Sequence, residues 1–91
     1  MIGKEAYVEL KVDGRPVCRL AVSGDLTGAE ALDLIGDVLR DGEFPVIAVA
    51  GQTPALTIEA TGMAVVAQTK LQIQDLRDGD ALALSGYAWT R

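Results

Sequence analysis

After its first few residues the chain settles into a clean alternation. Ala6, Val8, Leu10 and Val12 share one side of an extended ribbon, and Tyr7, Glu9 and Lys11 share the other. A period of two marks a strand with one buried face. Asp13-Gly14 follows, a pair suited to the positive φ angles of a tight hairpin turn. Val17 to Val22 then alternates again, with Cys18, Leu20 and Val22 inward and Arg19 turned to water. Pro16 stands at the entrance of that second strand, where its missing N–H does least harm. At Thr27 the period changes. Thr27-Gly28-Ala29-Glu30 fits a capping box, and from there to Arg40 the apolar residues Ala31, Leu34, Ile35, Val38 and Leu39 fall in one stripe, with Leu32 on its flank. Asp33 and Asp37 lie outside the stripe. Gly42 is placed as the C-terminal cap, with Pro45 just beyond. Gly36, inside the helix, costs about 1 kcal/mol against alanine and suggests a close helix–sheet contact.

The second half is patterned less strongly. Val46 to Ala50 is a continuous apolar run, the pattern of a central strand buried on both faces. Gly51-Gln52-Thr53-Pro54 interrupts it. Leu56 to Ala60 alternates, and Thr61-Gly62 turns the chain into a further strand over Met63 to Ala67. Thr69 to Leu76 suits either a strand, through Leu71 and Ile73, or a short turn docked by Leu76. Arg77-Asp78-Gly79-Asp80 reads as a tight turn, and Ala81 to Ser85 as a final strand with Leu82 and Leu84 on one face. No internal repeat or linker divides residues 1–91, so the expectation is one domain. A hairpin, one helix and three or four further strands give a two-layer α+β architecture, because a single amphipathic helix must bury its stripe against one face of one sheet.

Composition narrows the chemistry. Of 91 residues 49% are apolar, which is too many for a disordered acidic chain. Eight basic residues against thirteen acidic ones give a net charge of −5, the wrong sign for non-specific nucleic-acid binding. There is no histidine and a single cysteine. Histidine-dependent catalysis and most metal sites are thereby excluded, and Cys18 has neither a disulfide partner nor a base to ionise it. Cys18 therefore reads as a small core residue. Asp75, Asp78 and Asp80 lack the ligand spacing of a calcium loop, and Asp33, Asp37, Asp41 and Glu43 read as a solvated face, with an acidic docking surface as the alternative. Ser23-Gly24-Asp25 lacks the flanks of a nucleophile elbow, and Gly24 and Gly28 lack the rest of a phosphate loop. No stretch reaches the length of a membrane span, and the first residues lack the apolar core of a signal peptide. The expected compartment is the cytoplasm, and no cofactor is expected.

The order of hairpin, helix and later strands resembles that of the β-grasp, or ubiquitin-like, fold. Leu76-Arg77-Asp78-Gly79-Asp80-Ala81-Leu82-Ala83-Leu84 is similar to the turn and last strand of many ubiquitin-like and sulfur-carrier domains. It is most similar to the bacterial ubiquitin-like proteins of type VII secretion. The resemblance implies a mixed sheet of four to six strands packed on one α-helix, with the last strand beside the first. It also implies partner binding on the outer sheet face, here Tyr7 and Arg19 with Val17 and Ala21. Conjugated modifiers and sulfur carriers end in Gly-Gly, whereas this sequence ends Ala88-Trp89-Thr90-Arg91. Carrier chemistry is accordingly the less favoured reading. Tyr87 and Trp89 are large aromatics in a chain with only four; they either pack on the sheet or stand out as a docking anchor. The expected function is a non-catalytic protein-interaction module or accessory subunit of a multi-protein assembly. The alternative is a phage or other self-assembling structural subunit. The partners are expected to be proteins, and no residue pattern fixes an oligomeric state.

Overall fold

A computed structural model describes residues 5–74 and 76–90 of the chain. β1 (Glu5–Val12) and β2 (Arg15–Ser23) form the expected hairpin. Asp13 and Gly14 both take positive φ, 53° and 77°, which matches the right-handed twist of the flanking strands. The pairing slips between Leu10 and Lys11, so Leu10 faces Cys18 while Lys11 faces Pro16. Val17 is the extra residue of this bulge. Helix α1 (Gly28–Asp41) follows.

The remaining elements are β3 (Val46–Ala48), β4 (Ala55–Ile58), β5 (Met63–Ala64), a 3-10 turn (Leu71–Ile73), β6 (Ala81–Ser85) and β7 (Tyr87–Trp89). The main sheet has the order β2-β1-β6-β4-β5, and a second, two-stranded sheet joins β3 to β7. β6 runs parallel to β1, with Leu10 opposite Leu82; all other pairings in the main sheet are antiparallel. Parallel neighbours need a crossover, and α1 lies within it. The inner face carries Val8, Leu10, Leu56, Ile58, Leu82 and Leu84, which pack with Ala31, Ile35 and Leu39 of the helix into one core. Among the described residues no polar or charged residue is buried, so apolar contact fills the core.

The helix ends confirm their local signals. The Thr27 hydroxyl accepts the Glu30 N–H at 3.2 Å, and Glu30 Oε1 accepts the Thr27 N–H at 2.9 Å. Thr27→Ala is expected to lower stability by about 1 kcal/mol, measured by chemical denaturation. The Thr27 N–H, and after it the Thr27 hydroxyl, hold the Glu30 carboxyl below the ordinary glutamate value. A depressed folded-state pKa means a contribution that is present while the carboxylate is ionised and lost as pH falls through that pKa. Glu30→Gln should therefore flatten the acid limb of the stability profile and leave its alkaline limb unchanged. At the other end Gly42 is the C-cap, in right-handed conformation, and its N–H donates to Val38 O at 2.8 Å. The left-handed residue is the next one, Glu43, at φ 55°.

Three expectations are corrected. Val46 to Ala50 is not a central strand: β3 is three residues long, pairs only with β7, and leaves Ile47 59% exposed. The main sheet closes without it because β4 pairs directly with β6. The Met63–Ala67 strand shrinks to a two-residue edge, since after Val65, whose N–H still donates to Leu56 O, the chain leaves the sheet and Ala67 and Thr69 accept from the start of α1. Ala81–Ser85 is not the last strand, because Gly86 turns the chain and β7 follows.

The segment that suited either strand or turn folds as a 3-10 turn in which Leu71 and Leu76 are buried and Ile73 is exposed. Gly36 faces the small sheet rather than the main one: the nearest atom to the position of a Cβ there is the hydroxyl of Tyr87 in β7, at 3.6 Å. That is an ordinary van der Waals distance, so the glycine is required neither by φ nor by a neighbour.

Candidate functional site

The four residues singled out from the sequence divide into two pairs. Tyr7 and Arg19 come together. Tyr7 lies on the outer face of β1, opposite Ala21, and Arg19 lies on the same face of β2, opposite Glu9. Tyr7 is 55% exposed, although the residues on either side of it, Ala6 and Val8, are fully buried. The alternation that builds the core thus forces this ring into solvent.

The turn at 77–80 completes the site. Gly79, at φ 89°, lets the chain reverse, and the Arg77 N–H donates to Asp80 Oδ2 at 2.8 Å. The turn then docks on β1: the Tyr7 N–H donates to Asp78 Oδ1 at 2.8 Å, and the Gly79 N–H donates to Tyr7 O at 2.7 Å. A depression of about 410 Å³ results, lined by Tyr7, Glu9, Arg19, Asp78 and Gly79. Asp78 and Asp80 each accept a backbone N–H, so they act as turn caps rather than as cation ligands; Asp75, the third aspartate of that set, lies outside the described residues. No cluster of three metal-ligating side chains occurs among the described residues.

The charges on this face are unevenly satisfied. Lys11 reaches Glu59, on the far side of β6, at 3.2 Å and Glu9, on its own strand, at 3.9 Å. Arg19 enters no salt bridge among the described residues. A tyrosine ring and an uncommitted guanidinium therefore share one shallow, rimmed surface.

Tyr87 and Trp89 are committed to the fold instead. Both are half-buried against the core. Trp89 Nε1 donates to Val12 O at 2.7 Å, and the Arg15 guanidinium sits 4.1 Å over the indole. Tyr87 pairs with Ala48 and turns its ring toward α1. Cys18 is likewise half-buried, and burial pushes its thiol pKa up, the opposite of what a nucleophile needs. Among the described residues no helix is long and apolar enough to cross a membrane.

No protein-family model matches the sequence, and no curated protein matches it. Solved structures do. A chain in "Molecular Mimicry of SUMO promotes DNA repair" is similar over 92% of this chain and 94% of its own, with TM-score 0.65 and 15% identity. A chain in "MycP5-free ESX-5 inner membrane complex, State II" is similar over 94% of this chain, with TM-score 0.67 and 20% identity; this chain spans 21% of that one's length. At these identities the likeness is one of fold. One helix on a mixed sheet, a first hairpin, and a last main-sheet strand parallel to the first are shared features of that architecture, and the chain has the β-grasp, ubiquitin-like fold.

Proposed function

We propose that the protein is a non-catalytic interaction module that binds a protein partner through the outer face of its sheet, centred on Tyr7 and Arg19. The observation that carries this reading is the pairing of a 55% exposed tyrosine with an arginine that has no ion-pair partner among the described residues. Tyrosine and arginine are the residue types that concentrate energy at protein interfaces. The surface between them is small, open and ringed by polar atoms, which suits contact rather than turnover. The structural neighbours support an assembly role, since one belongs to an inner membrane complex and the other concerns mimicry of SUMO. The cytoplasm is the compartment we assign.

The test is affinity capture with the wild-type chain and with Tyr7→Ala and Arg19→Ala, both of which change exposed side chains and should keep the circular dichroism and melting curve of the parent. A defined partner retained by the wild type and lost, roughly tenfold or more, in either variant is the expected result. Equal capture by all three would remove this face from the interaction. A mass that grows with concentration in light scattering, with no foreign partner, would favour the self-assembling alternative.

A further inference from the structure

A second surface lies in the helical layer, away from the outer sheet face, and the reading above does not use it. It begins at Gly36. A glycine in mid-helix sacrifices helix propensity, and here neither backbone conformation nor crowding requires it. What it does is leave space. Above it, between α1, β3 and β7, lies a groove of about 560 Å³. Its walls are Leu32, Leu39, Val46, Ile47 and Pro54, and the Tyr87 ring forms the floor. Ile47 stands on the lip, 59% exposed. A large β-branched side chain held in water beside an open apolar groove is a feature with no role in the core.

The rim is acidic. Asp33 and Asp37 line it, and Asp41 follows one turn on. Arg40 lines the same rim and pairs with Asp37 at 2.8 Å and Asp41 at 3.5 Å, so the rim stays net negative with its unpaired charge at Asp33. Asp33 enters no salt bridge among the described residues. Three carboxylates on one side of a helix lower its stability mildly by mutual repulsion, and the chain as a whole carries a net charge of −5. The field over the groove therefore favours a positive occupant. A second copy of this chain would bring the same carboxylates against each other in a two-fold contact, which argues against self-association here.

We infer that the groove receives one large apolar side chain, leucine or methionine, from a lysine- and arginine-rich segment of a partner protein. The apolar residue sits over Gly36 against Tyr87, Leu32 and Ile47, and the flanking basic residues face Asp33 and Asp37. The Tyr87 hydroxyl, which makes no hydrogen bond to a described residue, is placed to donate to the segment's backbone.

The test is titration of the ¹⁵N-labelled chain with a synthetic peptide, acetyl-Lys-Lys-Ala-Leu-Ala-Lys-Lys-amide. Controls are the same peptide with serine for leucine and with glutamate for every lysine. The expected result is chemical-shift change at the amides of residues 32–40 and 46–48, weakening as salt is raised because the rim contacts are exposed to screening. Gly36→Leu fills the groove from within and should weaken binding about tenfold or more. The double variant Asp33→Lys, Asp37→Lys reverses the rim without touching the walls and should do the same, so that the test stands even if Gly36→Leu unfolds. Several outcomes would overturn the inference: equal shifts from the glutamate peptide or the serine peptide, undiminished binding by the folded variants, or no shift at these amides. Shifts confined to Tyr7, Glu9 and Arg19 would also overturn it, and would place the peptide on the outer sheet face instead. Because the two surfaces share no residue, loss at one leaves the other measurable.

Discussion

Gly86→Ala is expected to destabilise the fold by about 3 kcal/mol, as two penalties combine. Gly86 has a φ of 82°, a conformation that any L side chain adopts only with strain. It is also buried, and a Cβ there would lie 2.9 Å from the Cα of Pro54 and 3.0 Å from its nitrogen. Those are backbone atoms, so the loop between β3 and β4 would have to move to admit a methyl group. Gly62 separates the two effects. Its φ is 72°, yet nothing lies within 4 Å of its missing Cβ, so Gly62→Ala should cost only the conformational share, about 1 kcal/mol. Denaturant unfolding of both variants, followed by far-ultraviolet circular dichroism, gives the comparison. Equal losses would mean that Pro54 yields and that the crowding at Gly86 is harmless. A domain of this size has a total stability of roughly 5–15 kcal/mol, so the larger loss would be plain at ordinary temperature.

Gly86 also shows where the sequence was legible and where it was not. The hairpin and the helix were readable because their signals are local: alternation over Ala6–Val12, Asp13-Gly14 at the reversal, and a capping box four residues long. The same holds for Ala81–Ser85, whose Leu82 and Leu84 face inward as the alternation requires. The second half resisted because its hydrogen bonds run to distant segments. The Gly28 N–H donates to Thr69 O at 3.1 Å and the Ala29 N–H to Ala67 O at 3.0 Å, so a loop about forty residues away finishes the capping of α1. Gln74 then clasps that loop, its side chain bonding to both the N–H and the carbonyl of Val66 and to the carbonyl of Thr69. No periodicity encodes such contacts. The one visible trace is Gly28 itself, where a Cβ would strike the Val66 carbonyl.

The apolar run Val46–Ala50 misled for a related reason. Continuity of apolar residues signals burial on both faces only where a sheet is present to receive them. Here the neighbouring strand is β7, so Val46 is buried while Ile47 and Ala48 remain exposed. The outer-face pair was better encoded. Alternation alone puts Tyr7 and Arg19 on the solvent side of adjacent strands, and the hairpin register brings them to one surface. The contribution of Asp78 and Gly79 to that surface depends on the parallel docking of β6 on β1, which only the resemblance to the β-grasp fold suggested.

Trp89→Ala is expected to lower stability by about 3 kcal/mol, a loss of structure rather than of an exposed anchor. Three contacts disappear together. The indole N–H no longer donates to Val12 O, a bond of 2.7 Å that ties β7 to the end of the first hairpin. The Arg15 guanidinium loses the ring it covers at 4.1 Å, a contact worth about 0.5–1 kcal/mol at an exposed site. The half-buried ring no longer covers its part of the core. Trp89→Phe keeps most of the apolar area but removes the donor to Val12 O, and should lose about 1 kcal/mol. Arg15→Ala isolates the cation–π share. Circular dichroism is the measurement of choice, since Trp89 is the only tryptophan and its fluorescence vanishes with it. If Trp89→Ala unfolds at the wild-type midpoint, the indole is not part of the fold's support. Such a result would return Trp89 to the set of residues available to a partner, alongside Tyr7 and Arg19. Because Tyr87 shares the strand and the same side of it, Tyr87→Phe serves as a control: it removes only a hydroxyl that bonds to no described residue and should leave the midpoint within about 0.5 kcal/mol.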